Sequence, residues 1–449
     1  MFFSRQKCVM LLLTIMLIVR AHAADPVVDV STRGVIGDGQ TKVADGLRSI
    51  IAGALPGQTV FFPKGKYVAE PGTVLYIDKA LKFRGDSAEL VNMRLFFLAD
   101  VDLDGLSLTE VDCIHRQQNP SFCPAAGAMI TAGYIGFPLT RVSIRNVEIA
   151  TTRAYTAIEF GYDQVAGATI DHFSIVDHEM SAISIYGGEH IRITNGSIQG
   201  GPDAVVDDGI ALSPLYGPIS DVAISHVRAV QSADLVGIGS DLYWPLTNVS
   251  VDHSSCERTV VCLYFRLGDS SPAPAPYNRY SYVDGVKIDT VSDTDPQGER
   301  YHSSIMLVAR GGSVGRNITI SNLTANSRAA SPYGFRVQAF LDGGSQLQNV
   351  ILQNCAYDDS LAGAPNGPDA PGYIALEGVF LQTDGDSLID GLKIGAMHLA
   401  ATAYWGIDAG SARIANLQIT NPDFQNIFLN LPNWTGTAFY LPNLVASGQ

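Results

Sequence analysis

Along this chain an apolar-x-apolar triplet recurs about ten times, each copy followed by a polar residue and then Asn, His or Thr. It reads Val142-Ser-Ile144 with Asn146, Ala168-Thr-Ile170 with His172, Ile191-Arg-Ile193 with Asn195, and Val222-Ala-Ile224 with His226. It continues as Val249-Ser-Val251 with His253, Val286-Lys-Ile288 with Thr290, Ile318-Thr-Ile320 with Asn322, and Val350-Ile-Leu352 with Asn354. Looser copies stand at Leu392-Lys-Ile394 and Leu417-Gln-Ile419. Alternation within the triplet predicts a strand with one buried face. Starts 23 to 42 residues apart fall in the range of solenoid repeats, so each copy predicts one coil.

A second short apolar stretch follows most corners, as in Ala157 to Phe160, Ala182 to Ile185, Gly209 to Leu212, Cys262 to Phe265, Ser304 to Leu307 and Tyr333 to Val337. Stacked, these predict a second parallel sheet, and the spacing leaves almost no room for helices. The pattern excludes a doubly wound fold and favours an all-β parallel β-helix. Coils stacked at about 4.8 Å bring the corner residues above one another, where side-chain amides can hydrogen-bond along the stack. His172, His226 and His253 occupy such corners, which predicts a structural role for them rather than metal ligation or base catalysis.

Composition adds limits. The 449 residues carry 16% charged side chains, 44 glycines and a net charge of -15, a balance that argues against nucleic acid as a partner. Residues 1–23 read as a secretory signal peptide: Arg5 and Lys7, an apolar run from Val9 to Val19, and a small-x-small cleavage site at Ala21-His-Ala23. That run is too short to span a bilayer, so a secreted or periplasmic protein without membrane partner is expected. In an oxidising compartment Cys113 with Cys123 and Cys256 with Cys262 are local disulfide candidates, leaving Cys355 as a buried thiol.

Residues 24–85 differ from the array that fills 86–449. They hold Asp29 to Gly39 ending in Gly37-Asp38-Gly39, a helical segment near Ala44 to Ala54, and Thr59-Val-Phe-Phe-Pro63-Lys-Gly65-Lys-Tyr67. This order resembles the opening segment of the pectate-lyase-superfamily β-helix proteins, which include polygalacturonase-like glycoside hydrolases. The resemblance implies a right-handed parallel β-helix of about ten coils with an N-terminal capping helix. In chemistry it implies four motifs on consecutive coils, Asn-Thr-Asp, Gly-Asp-Asp, Gly-His-Gly and Arg-Ile-Lys. The second is matched by Val206-Asp207-Asp208-Gly209-Ile210-Ala211-Leu212. The first is replaced by Glu179-Met180-Ser181, the third by Leu235 to Ser240 without His, and the fourth keeps only its cation, as Tyr264-Phe265-Arg266.

Hydrolysis of a glycosidic bond needs one carboxylic acid for the leaving oxygen and one carboxylate for water. Asp207, Asp208 and Asp241 are the candidate carboxyls. Arg266 is the candidate clamp for a uronate carboxylate, and Glu179, Tyr186, Tyr243, Trp244 and Tyr264 are candidate substrate contacts. The expected function is a polysaccharide-active hydrolase acting on an acidic polymer without cofactor or metal. Three alternatives stand beside it: a uronate lyase or epimerase, a Ca²⁺-assisted lyase using Asp203, Asp207 and Asp208, and a non-catalytic carbohydrate-binding solenoid. Convergence of acid and cation in one cleft separates enzyme from binder. Two Pro/Gly-rich loops, Asp269 to Pro276 and Leu361 to Gly372, are expected to wall the cleft.

Overall fold

The computed structural model describes residues 27–110, 128–150, 156–161, 165–178, 181–201, 208–240, 244–268, 281–294, 302–326, 334–358, 377–400, 405–425 and 439–440. They form a right-handed parallel β-helix in which the strands pair only in parallel. The triplets stack as expected. Ile144, Ile170, Ile193, Ile224, Val251, Ile288, Ile320, Leu352 and Ile394 lie in one register column. All of them are buried. They pack into one continuous core with the inward residues of the other strands, and each contributes about 1.5–3 kcal/mol by burial.

Among the described residues the strands line three faces rather than the two expected. Each triplet strand runs on through its corner residue and pairs again beyond it, as in Ala168–His178 against Gly188–Gly200, where Phe173↔Gly196 and Ile175↔Ile198 extend the register. The reason is steric. A single residue in the left-handed region turns the chain without ending its hydrogen bonding to the coil on either side. Gly196 fits this sheet because the Phe173 ring occupies the space above it, and a Cβ there would stand 2.0 Å from Phe173 Cζ.

The corner residues explain the Asn, His and Thr repeat. Asn146, His172, Asn195, His226, His253, Thr290, Asn322 and Asn354 all have φ between 45° and 56°, a region Asn and His tolerate better than most residues. Direct amide-to-amide bonding, the expected glue, is the minority case. Asn354 donates to Asn322 at 2.5 Å, but Asn146, Asn195 and Asn322 donate to Asp104, Asp171 and Asp289 of the neighbouring coil. Two of them are lowered: Asp171 sits at about 2, where hydrogen bonds from Thr194, Asn195 and His172 outweigh the opposing burial, and Asp289 lies below its ordinary value through hydrogen bonds from Ser321 and Asn322. His226 and His253 stack face to face at 5.3 Å.

A second corner ladder immediately precedes the triplets and lies five residues before the first. His190, Asp221, Asn248, Gly285, Asn317, Asn349, Gly391 and Asn416 also have positive φ, and Asn349 donates to Asn317, which donates to Asp284. If backbone conformation dominates at these corners, His226→Ala lowers stability by about 1 kcal/mol, whereas His226→Asn stays within a few tenths. Chemical denaturation measures both, and equal losses would remove the conformational explanation.

The N-terminal cap follows the expectation. The helix Ala44–Gly53 buries Leu47 and Ile51 in the solenoid core, and Lys79 Nζ donates to the carbonyls of Ala52 and Ala54 at its C-terminus. Gly37 and Gly65 are glycines for a packing reason. A Cβ on Gly37 would stand 2.9 Å from the Tyr67 ring, and one on Gly65 would stand 2.6 Å from the Gly37 carbonyl oxygen. No helix among the described residues is long and apolar enough to cross a membrane.

Cys256 and Cys262 are bonded, joining the end of one strand to the next across six residues. Cys355 is a buried free thiol whose pKa burial raises. Cys113, Cys123 and the signal peptide lie outside the described residues. Mass mapping of unreduced peptides is expected to find the Cys256–Cys262 bridge with Cys355 alkylated only after unfolding, and a bridge to Cys355 would contradict this packing.

Candidate active site

The site is built on five strands of one sheet: Ile158–Phe160, Ile183–Ile185, Ile210–Leu212, Val236–Ser240 and Val261–Leu267. Their inward side chains Ile158, Ile183, Ile210, Val236 and Leu263 align and are buried. Two residues before the aligned apolar position, Asp208 and Asp234 occupy the same place on adjacent coils. Their carbonyls accept from Ala182 N and Gly209 N, each at 3.0 Å. Stacking therefore holds the two carboxyls about 4.8 Å apart at the backbone.

Asp208 and Asp234 hydrogen-bond through their side chains, which requires a proton between them, since two carboxylates in contact cannot both stay ionised. Burial pushes the Asp208 pKa up, against the opposing pull of the Asp234 hydrogen bond and the Arg266 charge. Asp234 is 1% exposed, and Asp208 is half-buried. Asp208 leans into the space that a side chain at position 237 would fill: a Cβ on Gly237 would stand 2.8 Å from Asp208 Cγ. Gly237 pairs with Tyr264 on the next coil, and Gly239 pairs with Arg266. Burial raises the Tyr264 phenol; Arg266 and Arg310 pull it down, while Asp208 and Asp234 push it up. One carboxyl pair, one phenol and two guanidiniums thus share an electrostatic neighbourhood.

The structure brings Asp208, Arg266 and Tyr264 together. Tyr186 sits on the same sheet, half-buried, with its ring against Tyr216 at 5.9 Å. Trp244 is exposed on the turn into Leu246–Glu257, past the opposite end of the site strands from Asp208. Asp207, Asp241, Glu179, Tyr243 and Asp203, and both Pro/Gly-rich loops, lie outside the described residues. Sequence reading missed Asp234, although its spacing was visible: Asp208-x-Ile210 and Asp234-x-Val236 repeat one position on consecutive coils. It also missed Glu159, an outward residue paired with Ser184, 8% exposed, whose pKa burial raises.

Comparison with solved structures finds this fold over almost the whole chain at low identity. The catalytic unit of a thermostable GH87 α-1,3-glucanase from Streptomyces thermodiastaticus strain HF3-3 has a TM-score of 0.55 at 13% identity, covering 92% of this chain and 72% of that one. The N-terminal fragment of bacteriophage Phi29 gene product 12 has a TM-score of 0.56 at 13% identity, covering 92% and 74%. The Agl-KA catalytic domain has a TM-score of 0.51 at 12% identity, covering 95% and 69%. No family model matches the sequence. A search of curated proteins finds no match. The likeness is one of fold: this chain is a right-handed parallel β-helix, an architecture it shares with polysaccharide-active enzymes and with a phage protein.

Proposed function

We propose that the protein is a polysaccharide-active enzyme, a glycoside hydrolase acting on a uronic-acid-containing polymer. The observation that carries this reading is the convergence of the Asp208–Asp234 pair with Tyr264 and Arg266 on one sheet face. A binding solenoid has no need of a buried proton-sharing carboxyl pair. Asp208 is the general acid: burial raises its pKa and keeps a proton available, while the Asp234 hydrogen bond stabilises the carboxylate left when that proton is given up. Carboxyls in direct contact are closer than the roughly 5–9.5 Å that separates an acid from the nucleophile or base across a sugar. The pair therefore acts as one unit, and the water-activating carboxylate is Asp207 or Asp241. Arg266 clamps a substrate carboxylate.

The lyase reading is weaker at one point. Elimination needs a base, and burial makes Tyr264 harder to deprotonate than a free phenol. The test is to incubate the purified mature protein with uronic-acid and neutral polysaccharides, following reducing ends and the absorbance of unsaturated products. New reducing ends without absorbance are expected. Absorbance would replace the hydrolase by a lyase, and neither signal would favour a binder. Arg266→Ala is expected to raise KM for the charged polymer more than for a neutral one, and an equal effect on both would remove the clamp.

A further inference from the structure

On the sheet that carries Asp208 and just past the ends of its strands stand accessible aromatic rings that the acid chemistry does not use. Tyr76, 59% exposed, packs on Phe96 with centroids 5.4 Å apart, and Phe96 packs on Tyr134, 45% exposed, at 5.8 Å. Tyr134 is presented by a tight turn in which Phe137 N donates to its carbonyl at 2.8 Å. Further along the axis the half-buried Tyr186 and the exposed Tyr216 make the next ring pair, and Trp244 stands on the coil after that. Gly161 keeps the line open between the two groups, because a Cβ there would stand 3.0 Å from the Tyr186 ring.

The line shares a frame with the acid site. Tyr76 pairs with Phe96, Phe96 with Thr131, Thr131 with Glu159, Glu159 with Ser184, Ser184 with Ala211, and Ala211 with Gly237, against which Asp208 lies. Five coil steps separate Phe96 from Gly237, about 24 Å along the axis. Rings that follow one another from coil to coil, with a gap at the coil of Glu159, suit a chain-like ligand better than a rounded partner surface. Most are tyrosines, which combine an apolar face with a polar rim, as a sugar ring requires.

We propose that this aromatic line is a distal binding track for a polysaccharide chain lying parallel to the solenoid axis, so that the substrate is a long polymer held several sugars away from the bond that is cut. The proposal rests on the glycan-active reading above. The track binds by stacking, which requires no charge on the sugar, while Arg266 selects the uronate at the cut.

The test separates binding from turnover. Asp208→Asn protein is run in native gels containing polygalacturonate, alginate or an α-glucan, alone and with Tyr76→Ala and Tyr134→Ala added. Retardation by a polymer is expected, with the two tyrosine changes weakening it about tenfold or more, equivalent to ~1.4 kcal/mol. In the active protein the same two changes are expected to raise KM about tenfold for the polymer and to move kcat/KM for a trisaccharide far less. Tyr134→Phe, which keeps the ring, is expected to retain binding.

Retardation unaffected by loss of both rings overturns the track, as does its absence with every polymer. A dimer in sedimentation that the tyrosine changes convert to monomer also overturns it, by assigning the line to contact between copies. Polymer binding through the line without cleavage of any polymer leaves the track standing and sinks the hydrolase.

Discussion

Asp208→Asn lowers turnover by about 10²-fold or more while leaving the melting temperature at neutral pH unchanged or slightly raised. The two halves of this expectation have the same origin. Burial raises the Asp208 pKa, so the folded protein favours the protonated acid more than the unfolded chain does. Such a group stabilises fully below the ordinary carboxylate value of 3.8, and its contribution is lost as pH rises through the higher folded value. Asparagine carries no proton to lose and cannot ionise, so the variant forfeits the acid and escapes the penalty. The rate of the native enzyme should fall over the same rising-pH window. Full activity in Asp208→Asn, on a substrate the native protein cuts, would move the acid elsewhere on the face, with Glu179 and Asp241 the next candidates.

Gly237→Ala tests the geometry without touching a titrating group. The new Cβ would lie 2.8 Å from Asp208 Cγ, closer than carbon atoms pack, so the carboxyl must swing away from Asp234 and Arg266. Turnover is expected to fall by about 10²-fold, as when a catalytic group is misplaced by about 1 Å. Gly239→Ala is the matched control. Its Cβ would meet only Ser213 Oγ at 3.4 Å, and stopped assays on both variants should show a large loss for the first and a small one for the second. Similar losses in both would mean that any added bulk on this strand is damaging and that Asp208 holds no special place.

The array was legible in the sequence because two signals coincide in each coil: alternation of apolar residues and a corner that admits few residue types. The second ladder was not, because its corner accepts His, Asp, Asn and Gly alike, as at His190, Asp221, Asn248 and Gly285, and so looks like ordinary turn composition. The third face was hidden for a related reason: its strands continue through the corner, where residues such as Phe173 and Gly196 show no strict alternation. At the site, Asp208 stood out as part of a familiar motif, whereas Asp234 belongs to none and becomes visible only when coils are aligned by register. Its partner on the preceding coil is fixed by Ile210↔Val236, a pairing that sequence spacing alone leaves open.

The two corner ladders hold a constant five-residue separation from coil to coil, as in Asn317 with Asn322 and Asn349 with Asn354. The connections between coils vary in length. Frame and decoration are thereby uncoupled: a coil can be duplicated, deleted or given a new loop while its neighbours keep their hydrogen bonds. Selection can lengthen the body or redress the cleft in separate steps, which lets one scaffold diverge in specificity faster than its sequence can be traced.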